Sequence, residues 1–132
     1  MKSIIPHGSS HNGERWLVRT EAGDLLGTSI RVASGFGSRL RGLLGTRALP
    51  EGHGLLLVPC QSIHMFFMSI ALDVAFLDDR GRVVALYAGL KPWRLSRLHP
   101  EAFAALELPV GTLEKCQVKT GDRLVFASST TE

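Results

Sequence analysis

From Phe66 to Phe76 every even-numbered position carries a large apolar side chain: Phe66, Met68, Ile70, Leu72, Val74 and Phe76. Ser69, Ala71, Asp73 and Ala75 between them are small or polar. A period of two belongs to extended backbone, whose successive side chains point to opposite faces. It predicts a strand through this stretch, bent near Ala71, with the bulky row turned into a core. A helix scatters both sets around its circumference. The run also contains His64 just upstream and Asp73 inside it. Burying a polar group without a partner costs about 2–7 kcal/mol, so this stretch is expected to border a solvated site.

The rest of the chain repeats the β theme. WLVRT and TSIRVA (Thr28 to Ala33) are short, β-branched and separated by the turn-prone EAGD, which predicts a pair of strands. GLLLVP (Gly54 to Pro59) reads as a fully apolar strand bounded by punctuation. DDRG (Asp78 to Gly81) is a turn, and RVVALYAGL is the return strand of a hairpin. Arg123 to Ala127 forms a last strand after the turn KTGD. Helical spacing is limited to Ser34–Gly45, where Phe36, Leu40, Leu43 and Leu44 share a face, and to one or two turns opened by Pro100 before a strand near Ala105 to Leu108. The expected fold is mainly β, a compact sandwich or barrel with one or two short helices. Residues 1–13 are expected to be a flexible lead-in, 14–127 the single domain and 128–132 a frayed tail.

A chain of 132 residues buries about 68% of its unfolded surface, enough for one self-sufficient core. Its net charge of +3 argues for nothing stronger than solubility, but the charges are unevenly placed. Between Asp24 and Glu51 the only formal charges are Arg31, Arg39, Arg41 and Arg47; between Asp79 and Glu101 they are Arg80, Arg82, Lys91, Arg94 and Arg97. Brought together, the two acid-free windows make an electropositive face. Cys60 and Cys116 fit neither a CxxC nor a disulfide framework. The N-terminal stretch lacks the apolar core of a signal peptide, and the uncharged run Gly54 to Leu72 is interrupted by Pro59, Gln61, Ser62, His64 and Ser69. The expectation is therefore a cytoplasmic chain with no membrane span.

Several segments taken in order carry a resemblance: Arg41-Gly42-Leu43-Leu44, then Cys60 with His64, Met68, Leu72 and Asp73, then LELPVG (Leu106 to Gly111), then Gly121-Asp122. Together they resemble the domain of unknown function 192 family from about Arg31 to Phe126. The resemblance implies a mainly β fold and supplies no activity. Ala71 stands where relatives often carry Pro, and Ser69 where many carry a basic residue.

Cys60, His64 and Met68 offer soft donors, but on one strand each is about 13 Å from the next at a rise of ~3.3 Å per residue, so no metal site and no cofactor are expected. No Gly-rich phosphate loop is present. KPWRLSR differs in kind: Trp93 flanked by Lys91, Arg94 and Arg97 puts a flat apolar face beside donors that suit a sugar ring, a carboxylate or a phosphate. Nucleic acid is not expected, because one loop Trp lacks the aromatic interleaving of single-strand binders. These residues predict a module binding a small anionic or hydroxyl-rich, carbohydrate-like ligand. Arg41, His64, Met68, Asp73, Lys91, Trp93 and Arg94 would line its site, with no chemistry performed. An enzyme using His64 as base oriented by Asp73 is the alternative, and a protein-interaction patch of Phe66, Phe67 and Trp93 is the third.

Overall fold

In the computed structural model the described residues are 5–6, 14–34 and 48–128. They hold seven strands and one short helix: β1 (Trp16–Thr20), β2 (Leu25–Ser34), β3 (His53–Val58), β4 (Leu72–Leu77), β5 (Val83–Leu90), β6 (Ala104–Leu108), α1 (Thr112–Lys115) and β7 (Leu124–Ser128). All seven strands belong to one sheet in the order β5-β4-β6-β3-β2-β1-β7. Every neighbouring pair is antiparallel except β2 and β3.

The sheet curls until its two outer strands meet at one end. Val83 N–H donates to Asp122 O and Gly121 N–H to Val83 O, both at 2.8 Å, and Arg82 and Arg123 form an isolated bridge. The result is a half-closed barrel, the mainly β single domain that the alternation predicts. Curling hides part of each edge strand's unpaired backbone, which is otherwise a template for aggregation.

Alternation splits the buried residues between two cores. Val18, Ile30, Leu56, Ala75, Leu77, Leu106, Leu108 and Leu124 point inside the curl. Leu55, Leu57, Leu72, Val74, Phe76 and Ala105 point outward into a second apolar layer with Cys60, Ile63 and Met65. The central strands are therefore buried on both faces, as all six residues of β4 are.

That geometry corrects the first expectation in two ways. The strand begins at Leu72 rather than Phe66, because the segment before it leaves the sheet to build the outer layer. Within β4 the small row is as buried as the bulky row; the two rows fill different cores. A further correction concerns Pro100: residues 100–103 form a turn and bend, and the helix falls at Thr112–Lys115 instead. The helix expected over Ser34–Gly45, and Arg41 within it, lie outside the described residues apart from Ser34, which ends β2. Ile5, in the stretch expected to be a lead-in, is buried in the inner core.

Candidate functional site

The second layer is made of two segments that pair with each other. Ile63 N–H donates to Ser96 Oγ, Ser96 N–H to Ile63 O and Met65 N–H to Arg94 O, each at 2.8 Å. Trp93 N–H donates to Met65 O at 2.7 Å, and His64 bridges to Leu95. Tyr87 on β5 anchors the far end: its hydroxyl accepts the Arg97 N–H at 3.0 Å and lies 2.7 Å from His99 Nε2. Ile63 and Met65 face the sheet, and their neighbours consequently face solvent.

On that outer side four rings form a shelf. His64 and Phe66 have centroids 4.9 Å apart, Phe66 and Trp93 5.9 Å, and Phe67 and Trp93 4.8 Å. Phe67 is 69% exposed and Trp93 58%. Both adopt left-handed backbone, with φ of 67° and 68°. For a bulky residue that conformation costs about 1–3 kcal/mol, and leaving the ring in water forgoes about 1.5–3 kcal/mol of burial. Lys91, Arg94 and Arg97 are exposed alongside, and none is in an ion pair among the described residues. Leu95 and Leu98 extend the apolar surface.

The structure thus brings together His64, Lys91, Trp93 and Arg94, with Met68 half-buried beneath through its N–H bond to Met65 O. It does not bring Asp73 to them. Asp73 shares the parity of Ala75 and Leu77, so its carboxylate lies on the inner face of the sheet. There it accepts the N–H groups of Gly89 (2.8 Å), Gly111 (3.0 Å) and Leu113 (3.0 Å). Gly111 is the N-cap of α1 and has no side chain to offer, so a carboxylate from β4 takes the capping role. The His64 ring instead accepts the Phe66 N–H at Nδ1, 3.4 Å away.

Lys91, Trp93 and Arg94 are neighbours in the sequence itself, whereas Phe67, grouped there only with an interaction patch, reaches Trp93 through the fold. The double aromatic after His64, interrupting the period of two, is the signal for a residue turned outward. Glu107 is 6% exposed on the outer face of β6, and burial pushes its carboxyl up to about 7.

Two cavities of about 410 and 400 Å³ lie elsewhere, beside the β1–β2 turn and α1, and share Cys116. The Cys116 thiol donates to Leu25 O, and burial, aided by Asp24, pushes its pKa up, away from a reactive thiolate. Cys116 packs in the inner core and Cys60 in the outer, and neither is in a disulfide. Among the described residues no three His, Cys, Asp or Glu side chains converge to hold a metal ion, and no helix is long and apolar enough to cross a membrane.

Fold and site together define a small half-barrel whose added outer layer displays an aromatic face. The chain belongs to the domain of unknown function 192 family (described as uncharacterized ACR), whose model matches residues 17–126. A UPF0127 protein of Thermococcus sibiricus is 32% identical over 113 residues, covering 82% of this chain and 72% of the relative. A UPF0127 protein of Pyrococcus horikoshii is 34% identical over 100 residues, covering 72% and 84%. Among solved structures, one from Sinorhizobium meliloti 1021, provisionally described as a transcription regulator, aligns with a TM-score of 0.72 at 25% identity, covering 88% of this chain and 93% of that one. A protein of unknown function from Novosphingobium aromaticivorans has the same fold, with a TM-score of 0.73 at 20% identity over 91% of this chain and 90% of its own.

Proposed function

We propose that the aromatic shelf is the recognition face of a binding module for an anionic or hydroxyl-rich ligand, an acidic carbohydrate above all, and that the protein performs no chemistry on it. The observation that carries this reading is the pair Phe67 and Trp93: two large rings, 4.8 Å apart and both exposed, each on left-handed backbone. Each left-handed residue is the third of a β-turn, closed by Met68 N–H to Met65 O and by Arg94 N–H to Lys91 O. Folding does not require a large aromatic ring at either position, and leaving both rings in water favours a use outside the fold. A flat pair of rings suits the apolar face of a pyranose, and Lys91 and Arg94 supply donors for a carboxylate or sulfate at its edge. Asp73 has no part in this site, its carboxylate being occupied by three backbone amides.

The test is a fluorescence titration of the full chain with an oligogalacturonate, a neutral cello-oligosaccharide and inorganic phosphate. The expected result is a saturable response to the oligogalacturonate that disappears in Trp93→Ala and Phe67→Ala. Arg94→Ala should weaken it and flatten its salt dependence, since exposed charges are screened over about 8 Å at physiological ionic strength. Silence with all three probes, or a response that survives Trp93→Ala, overturns the reading. Leu95 and Leu98, exposed beside the shelf, favour a second reading as a protein-interaction surface. Concentration-dependent size that Trp93→Ala abolishes would support that one instead.

A further inference from the structure

Glu107 occupies a position at which the sheet calls for an apolar side chain. Along β6, Ala104, Leu106 and Leu108 fill the inner core, while Ala105 packs in the outer one. Glu107 follows the parity of Ala105. Its cross-strand partners are Leu55 on β3 and Val74 on β4, both members of the outer core. It is 6% exposed, and among the described residues its carboxyl makes no hydrogen bond or ion pair and keeps only an edge of contact with water. A carboxylate set on an apolar face with so little water and no partner requires a reason.

Among the described residues, the titratable and charged groups around it do not provide one. β4 presents only Leu72, Val74 and Phe76 to this face. β3 presents Leu55 and Leu57, with His53 exposed at its start. β2 adds Arg31, in register with Leu55 and exposed; at about 4.8 Å per strand it stands roughly 10 Å away. β5 adds Tyr87, and the second layer adds Cys60 and His99. The hydroxyl and the imidazole of these are bonded to each other, and the thiol donates to Ser62 O.

What rests on this apolar face is the frame of the shelf. Ile63 and Met65 are buried in it by their side chains, while their backbones hold Trp93, Arg94 and Ser96. We propose that Glu107 is a protonation-dependent latch: neutral, it lets the second layer seat on the sheet and hold the aromatic shelf in place; ionised, it loosens that layer. Burial, which pushes the carboxyl up to about 7, sets the direction. Local opening that wets Glu107 returns it to its ordinary value near 4.5, so opening becomes easier as pH rises from there to 7 and no easier beyond. The consequence for ligand capture rests on the shelf being the recognition face; the latch itself does not.

Amide hydrogen exchange of the full chain, read by NMR from pH 5 to 8.5 and corrected for intrinsic exchange, tests it without any ligand. Protection of Met65, Trp93, Arg94 and Ser96 should fall by about tenfold per pH unit up to 7 and then level off. In Glu107→Gln it should stay flat. Flat protection in the unmodified chain overturns the latch, as does an unchanged fall in Glu107→Gln. A ¹³C titration of the Glu107 carboxyl in the unmodified chain guards against a variant that fails to fold: a midpoint near 7 supports the latch, and one near 4.5 overturns it.

Discussion

Asp73 shows how one side chain can serve three distant pieces of backbone. The N–H groups it satisfies belong to the end of β5, to the N-cap of α1 and to the first turn of that helix. Asp73→Ala leaves three donors without partners: the Leu113 N–H is buried, whereas those of Gly89 and Gly111 are part-buried and can turn to water. At about 1–3 kcal/mol for a buried donor the expected loss is about 2–3 kcal/mol, measured as a shift of the urea midpoint. Asp73→Asn should recover only part of it, because its amide nitrogen faces a donor. Gly54 makes the opposite point, that some positions tolerate nothing. A Cβ there would stand 2.6 Å from Glu107 O and 2.8 Å from Ile30 Cδ1. The first of these is backbone in the paired strand and cannot yield without moving β6. Gly54→Ala is expected to cost about 1–3 kcal/mol by overpacking, and a midpoint unchanged from that of the parent chain would show that the two strands can separate locally.

Strands were legible wherever the pattern was local. WLVRT, TSIRVA, GLLLVP and RVVALYAGL each fall on a strand of the sheet, because β-branched and apolar runs between turn residues need no distant information. The same logic misplaced residues 66–71. Their even positions are apolar and no Gly or Pro interrupts them, yet the residues just before them, Ile63 to Met65, pair with residues 93–96, and Met68 N–H closes a turn back onto Met65 O, an arrangement that no local pattern encodes. Helix α1 is only four residues long, too few for helical periodicity to register in the sequence. The cationic flank of the site was legible because KPWR is contiguous; its aromatic partners Phe66 and Phe67 lie more than twenty residues away and join it only through the second layer. That layer's attachment is testable at Tyr87. Tyr87→Phe removes the acceptor of the Arg97 N–H and the partner of His99 while keeping the ring against Phe76. The expected cost is about 1–2 kcal/mol, with lost amide protection concentrated in residues 93–99. A uniform loss across all seven strands would mean that the layer and the barrel open as one unit.

At the scale of the whole molecule, Glu51 and Glu107 act in opposite pH windows. Glu51 is fully exposed, and its hydrogen bond and charge contact with Lys115 hold its carboxyl below the ordinary value. Stability from such a group is present above the unfolded pKa and fades as pH falls through the folded one; at this exposure solvent screens most of it. Glu107 is the reverse case. Its carboxyl is raised to about 7 from 4.5 by burial, so the folded chain binds a proton that the unfolded chain releases. The stability that this proton confers is fully present below about 4.5 and declines as pH rises, until it is gone once pH has passed 7. At 1.36 kcal/mol per unit the difference amounts to about 3 kcal/mol. Between pH 4.5 and 7 the Glu51 contribution is constant, which leaves Glu107 to set the slope. Urea unfolding across that interval should therefore show stability falling with pH in the unmodified chain and a level profile in Glu107→Gln, with the variant the more stable of the two at pH 8. Equal profiles would mean that the carboxyl finds water or a counter-charge in the folded state, and that the outer layer is wetter than its apolar lining implies.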